Sequence, residues 1–211
     1  MKLKLMISSV FGVLVIGIYI AFTITSYLHY SAEYSPLTNW LSDLGNPLAN
    51  PSGAVYYNLG CILTSIALVV FFIGLSGWNT GEKKMKILLS IGQITGIFSA
   101  FSLIITASFP LGEHTSVHSA WSMIIYISVA FFFTFSGSAL LKHPAFPKWI
   151  AYWGFLAAAF NFINGAILSY VLENEFFIGE WVTVTMLIVY VGMLVCSSRA
   201  IYSQKNFTRV F

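Results

Sequence analysis

Residues 54–76 read AVYYNLGCILTSIALVVFFIGLS and contain no Asp, Glu, Lys or Arg. An α-helix rises about 1.5 Å per residue, so a run of this length crosses the roughly 30 Å of hydrocarbon in a bilayer. Five further apolar runs can be marked off, at about 5–28, 87–109, 117–141, 149–171 and 181–203. Hydrophobic residues fill 58% of the 211 positions and charged residues 8%, and mean hydropathy is +0.83. These values lie outside the range of water-soluble domains. The expectation is an all-α integral membrane protein, a six-transmembrane-helix bundle with short loops, and residues 1–211 form one transmembrane domain. The first run is longer than the apolar core of a signal peptide, and no small-x-small cleavage pattern precedes HYSAEYS, so it is read as a retained helix.

The ten basic residues are Lys2, Lys4, Lys83, Lys84, Lys86, Lys142, Lys148, Arg199, Lys205 and Arg209. All fall at the amino terminus, the second loop, the fourth loop or the carboxyl terminus, which six spans place on one side. Basic loops resist translocation, so that side is cytoplasmic, with both termini on it and the chain in the cell membrane. Glu82 lies on the same side, whereas Glu33, Asp43, Glu113, Glu173, Glu175 and Glu180 lie on the outer side or its interface. A basic inner rim suits anionic membrane lipids and gives no support to nucleic-acid binding. Cys61 and Cys196 fall at different depths, and no disulfide is implied.

Within the spans, polar residues crowd the outer halves. Asn58, Thr64 and Ser65 open the second helix, and His118, Ser122 and Tyr126 form a stripe at the start of the fourth. Ser102, Thr106, Asn164 and Ser169 lie where the third and fifth helices leave, and Glu180, Thr183 and Thr185 open the sixth. Gln93 is the main exception in the inner halves. Polar atoms facing lipid each cost up to several kcal/mol, so these groups should turn inward and line a cavity open to the outside. Gly92 and Gly96, in a small-xxx-small spacing, point to close helix packing, and Asn161 and Asn164 to interhelical hydrogen bonds.

Between the first two runs lies SDLGNPLANPSG, residues 42–53. Pro36 could start a short interfacial helix ended by Gly45, with Asp43 in its last turn. The carboxyl end of a helix disfavours an acid, so a cation or donor should stand nearby. The outer side holds no Lys or Arg, which leaves His29, His114 and His118. Two outcomes stay open. In one, Asp43 takes hydrogen bonds from a histidine and from loop amides and clamps the loop over the bundle. In the other, His114 and His118, at metal-binding HxxxH spacing, hold zinc with His29 or Asp43, and a carboxylate such as Asp43, Glu113 or Glu180 serves as base for a bound water. If Thr115 or Ser116 caps the fourth helix, His114 falls in the loop and the pair is split.

Asn39-Trp40-Leu41-Ser42-Asp43-Leu44-Gly45, Asn50-Pro51-Ser52 and Tyr57-Asn58-Leu59-Gly60 resemble prokaryotic six-helix membrane proteins grouped as domain of unknown function 998. Phe109-Pro110 before the histidines and Gly179-Glu180 at the sixth helix share that resemblance. It covers nearly the whole chain and implies a six-helix bundle with no established activity. The HxxxH pair is also similar to part of the metal site of alkaline ceramidase-like transmembrane hydrolases, although here six spans stand in place of seven.

Two functions of different classes follow. One is a multi-pass protein whose outward-facing pocket binds a lipid headgroup, a small ligand or a partner protein through Ser42, Asp43, Asn58, His118, Ser122, Tyr126, Asn164 and Glu180. The other is a zinc-dependent intramembrane lipid hydrolase using His114, His118 and His29 as ligands, with Asp43 or Glu180 as catalytic carboxylate. Transport ranks behind both, because no ionisable residue reaches the midplane. Oligomer formation is left open.

Overall fold

The computed structural model describes residues 2–144, 146–165 and 176–207. Ser169, Glu173, Glu175, Arg209 and the last turns of the run at 149–171 lie outside the described residues. Six long helices follow one another: α1 (Lys2–Leu28), α2 (Ala54–Gly74), α3 (Lys83–Ser108), α4 (Thr115–Leu140), α5 (Lys148–Ile163) and α6 (Phe177–Phe207). Two short 3-10 helices, Leu41–Gly45 and Leu75–Trp78, complete the described elements. The runs at 5–28, 54–76, 87–109, 117–141 and 181–203 begin and end within about four residues of a described helix, and the run at 149–171 begins with α5. Among the described residues, five helices are long and apolar enough to cross a membrane. The sixth, α5, has 16 described residues.

Each helix packs against its neighbours in the chain, and α6 returns to α1, so the six form a closed ring in sequential order. Outward faces are apolar: Ile66, Ile94 and Phe101 are each more than half exposed. Water would penalise such a surface and lipid does not. Inside a bilayer, helices are held by close contact and hydrogen bonds, since burial against another helix gains little over burial in lipid. Gly92 and Gly96 provide such contact on α3: a Cβ at Gly92 would lie 3.2 Å from the Ser136 backbone nitrogen of α4, and one at Gly96 would lie 2.7 Å from the Phe72 ring of α2.

At the end of the ring where α2 and α4 finish and α3 and α5 begin, the interior is packed solid with aromatic rings. Phe71, Phe72, Phe132, Phe133 and Tyr190 are completely buried. Phe72 meets Phe132 edge-on at 4.8 Å between centroids, and Phe133 meets Tyr190 at 5.1 Å. Such pairs each add about 0.5–1.5 kcal/mol to their packing. Tyr190 also hydrogen-bonds Ser136 Oγ at 3.1 Å. Gln93 has a structural task here. Its amide donates to the Phe72 and Ile73 carbonyls at 2.7 and 3.0 Å, near where α2 tightens into the 3-10 helix and carbonyls lose their helical partners.

The opposite end is covered by the connection between α1 and α2. Asn50, fully buried, is its main tie. Its Nδ2 donates to Ser26 Oγ at 3.0 Å and to the Leu44 carbonyl at 2.9 Å, and its Oδ1 accepts the Gly53 N–H at 3.1 Å. Ser26 Oγ donates to the same Leu44 carbonyl at 2.9 Å, and Asn58 Nδ2 on α2 donates to the Gly45 carbonyl at 2.8 Å. Gly45 is required by contact, because a Cβ there would strike the Asn58 side chain.

The short helix in this cover differs from the expected one. It runs from Leu41 to Gly45, not from Pro36, so Asp43 stands in its first turn and not its last. An acid is favoured there. Asp43 Oδ2 accepts the Trp40 N–H at 3.0 Å, and the Asn39 and Asn46 side chains also bond the carboxyl. The cation invoked to offset an unfavourable helix end is therefore not needed. Burial raises the Asp43 carboxyl above its usual 3.8, and these hydrogen bonds oppose the rise.

Candidate functional site

Beneath this cover the ring is hollow. A cavity of about 100 Å³ runs inward between α1, α2, α3, α4 and α6, and a vestibule of about 290 Å³ adjoins it between the cover, the α3–α4 turn, α4 and α6. Ser42, His118, Ser122, Tyr126 and Glu180 line both. The mouth is polar and the depth apolar, ending on Val15, Leu68, Val129 and Leu187.

The lining is more apolar than the crowd of hydroxyl residues in these half-helices suggests. Several hydroxyls bond their own helix: Ser65 donates to the Cys61 carbonyl at 2.7 Å, Ser102 to Phe98 at 2.9 Å, and Thr106 to Ser102 at 2.9 Å. A serine or threonine in lipid meets its need most cheaply in this local way, so its presence in a span does not by itself mark a polar surface.

Glu180 stands in the first turn of α6, where the helix dipole favours an acid. Its Oε2 accepts both the Ser42 N–H, at 3.1 Å, and the Ser42 hydroxyl, at 3.2 Å. Trp181 beside it donates to the Asn39 carbonyl at 3.2 Å, and Trp40 packs on Phe177 at 5.0 Å. The cover is thus latched to α6 as well as to α1 and α2. Tyr34 Oη donates to the Trp40 carbonyl at 2.8 Å. Burial and then the neighbouring Glu180 and Asp43 push its phenol well above the ordinary tyrosine value, so it remains a donor.

His29, His114 and His118 go to different places. His29 packs on Tyr56 at 4.9 Å, with Nδ1 2.8 Å from the Thr25 carbonyl. His114 caps α4 from outside the helix, exposed, against Phe109 at 5.4 Å. His118 alone turns inward. Its Nδ1 lies 3.1 Å from the Phe109 carbonyl and 3.2 Å from that of Thr106. Two carbonyls can only accept, so Nδ1 carries the proton, which leaves Nε2 an acceptor in the neutral ring. That atom is buried and has no hydrogen-bond partner, and Thr64 Oγ1 in the same cavity shares this condition.

Among the described residues no three His, Cys, Asp or Glu side chains come together as a ligand set. Helix α4 begins at Thr115, so the HxxxH pair straddles its boundary, one ring outside and one inside. The expected meeting of Asp43 with a histidine is also replaced: the loop carboxylate is satisfied by its own loop, and the carboxylate that reaches the cavity is Glu180.

Of the expected ligand-binding residues, Ser42, Asn58, His118, Ser122, Tyr126 and Glu180 line the inner cavity. Asp43 faces the cover. Asn164 donates to Thr183 Oγ1 at 3.2 Å, an interhelical bond beside the cavity. Tyr19, Tyr57 and Thr64 were not among the expected binding residues, yet all line it. Tyr19 and Tyr57 sit edge-to-face at 6.5 Å, and a tyrosine in an apolar run gives no sign of which way it turns. The two cysteines are free.

A ring of apolar helices, a solid interior at one end and a covered hollow at the other define a multi-pass helical membrane protein. The chain belongs to the family described as "Protein of unknown function (DUF998)", whose model matches residues 13–199. The SDLG segment, Asn50 and Asn58 that carried the resemblance are the residues that tie down the cover. No curated protein and no solved structure matches the chain.

Proposed function

We propose that this chain is a six-span protein of the cell membrane, with both termini cytoplasmic, whose outward-facing cavity binds a lipid headgroup or small ligand. The observation that carries this is His118 Nε2, a buried acceptor without a partner at the mouth of a covered cavity. Leaving such an atom unpaired costs about 1–3 kcal/mol, and a ligand supplying a donor removes that cost. The polar mouth and apolar depth fit an amphiphile better than a wholly polar solute. Among the described residues no set of three metal ligands converges for the hydrolase alternative, so binding is the function put forward.

The test is lipid co-purification. Protein extracted into mild detergent and examined by native mass spectrometry should carry a bound small molecule or lipid, and Ser122→Phe, which fills the mouth, should remove it. Equal adducts on both proteins would sink the proposal. For the orientation, labelling of cysteines introduced at the termini and in the loop around Lys83 should require permeabilised cells.

A further inference from the structure

The charges and hydrogen-bonding roles around the cavity select among ligands. Every Lys and Arg in the sequence falls within residues 2–4, 83–86, 142–148 and 199–209. The described Lys and Arg residues stand at the start of α1, α3 or α5, in the α4–α5 connection or towards the end of α6, which places them at the opposite end of the ring. The carboxyl group lining the cavity and vestibule is Glu180, with Asp43 close behind it. His118 Nε2 adds an acceptor with no donor. Tyr19, Tyr57 and Tyr126 line the same space, and Trp40 the vestibule, and aromatic rings favour a cation over an anion as neighbour.

Resting on the binding function above, we infer that the ligand presents a primary ammonium group, donating N–H bonds to Glu180 and to His118 Nε2. A phosphate or carboxylate head would meet acidic groups and acceptors, with no Lys or Arg among the described residues to offset it. A quaternary ammonium would satisfy the charge but leave Nε2 without its donor. The same head chemistry occurs on an ethanolamine phospholipid, whose chains would follow the apolar lining, and on a free alkylamine.

The experiment uses the full-length protein in detergent, with phosphatidylethanolamine, phosphatidylcholine and phosphatidylglycerol of identical chains and free ethanolamine as probes. Binding is read by native mass spectrometry and by thermal shift. Phosphatidylethanolamine should bind at least about tenfold more tightly than phosphatidylglycerol, and Glu180→Gln, whose amide oxygen can still accept from Ser42, should weaken it by about tenfold or more. His118→Phe should reduce the preference over phosphatidylcholine. Competition by free ethanolamine would assign the site to a soluble amine, and its failure to compete to the lipid; both outcomes support the head chemistry. Equal or tighter binding of phosphatidylglycerol, or no effect of Glu180→Gln in a folded protein, would overturn the inference. If phosphatidylglycerol binds and Ser122→Phe abolishes it, the pocket stands and the ammonium assignment falls. If no probe binds at all, both fall.

Discussion

Ser122, Tyr126, Val129 and Phe133 follow one stripe of α4, and along it the interior changes from hollow to solid. Tyr126 lines both the cavity and the vestibule. Phe133, about two turns further on, is fully buried among Phe132 and Tyr190. One continuous helix thus serves two purposes. The solid end holds the helices in place by dispersion between rings. The hollow end gives up that attraction and retains unpaired polar atoms, a cost that structure alone does not require. The comparison separates the end that supplies packing from the end where binding is proposed.

The largest effect should come from emptying the solid end. Phe133→Ala is expected to cost about 3–5 kcal/mol, while Tyr126→Ala, beside existing space, should cost less than half as much. Reversible unfolding in mixed micelles measures both, and equal losses would erase the distinction between the two ends.

Next is the cover. Asn50→Leu removes the bonds to Ser26, Leu44 and Gly53, and at about 1 kcal/mol per bond the loss should reach about 2–4 kcal/mol. Hydrogen exchange of residues 40–53 should rise with it. Unchanged protection there would show that the contacts to α6 alone hold the cover.

Paired hydroxyls sharpen the contrast. Ser136→Ala at the solid end removes a bond to Tyr190 and should cost about 1 kcal/mol. Thr64→Val at the hollow end removes an unpaired hydroxyl and should be neutral or slightly stabilising in the ligand-free protein. A clear loss for Thr64→Val would mean that its hydroxyl is already satisfied.

The smallest effect concerns pH. Burial raises the folded-state Asp43 carboxyl above the usual 3.8, so ionisation there costs stability at neutral pH. That cost is relieved as pH falls through the raised value towards 3.8, because the folded state then binds the proton more readily than the unfolded one. Exchange protection of the cover should therefore hold or increase between about pH 7 and pH 5, and Asp43→Asn should change stability by less than about 1 kcal/mol. Loss of protection on mild acidification would indicate that the hydrogen bonds from Trp40, Asn39 and Asn46 outweigh burial.

Much of this protein is local, and local features are legible in a sequence. Apolar runs of bilayer length became helices because a backbone in hydrocarbon must satisfy its own hydrogen bonds, whatever surrounds it. The same local logic marked the connection between the first two runs as rich in turns and made Gly92 and Gly96 a site of close packing. Six of the eight expected ligand-binding residues line the cavity: Asn58, His118, Ser122, Tyr126 and Glu180 because polar groups in a helix at this depth turn away from lipid, and Ser42 because the cover lies over them.

What the sequence could not decide was pairing between segments distant in the chain. Glu180 meets Ser42, and Asn50 meets Ser26, because the ring brings the ends of α1 and α6 under the same loop. The start of α4 at Thr115 separates His114 from His118, a difference of one residue that spacing alone does not resolve. Whether a hydroxyl faces a cavity or its own carbonyl, and whether a histidine nitrogen finds a partner, depends on neighbours from four or five helices at once. Those neighbours exist only once the ring has closed.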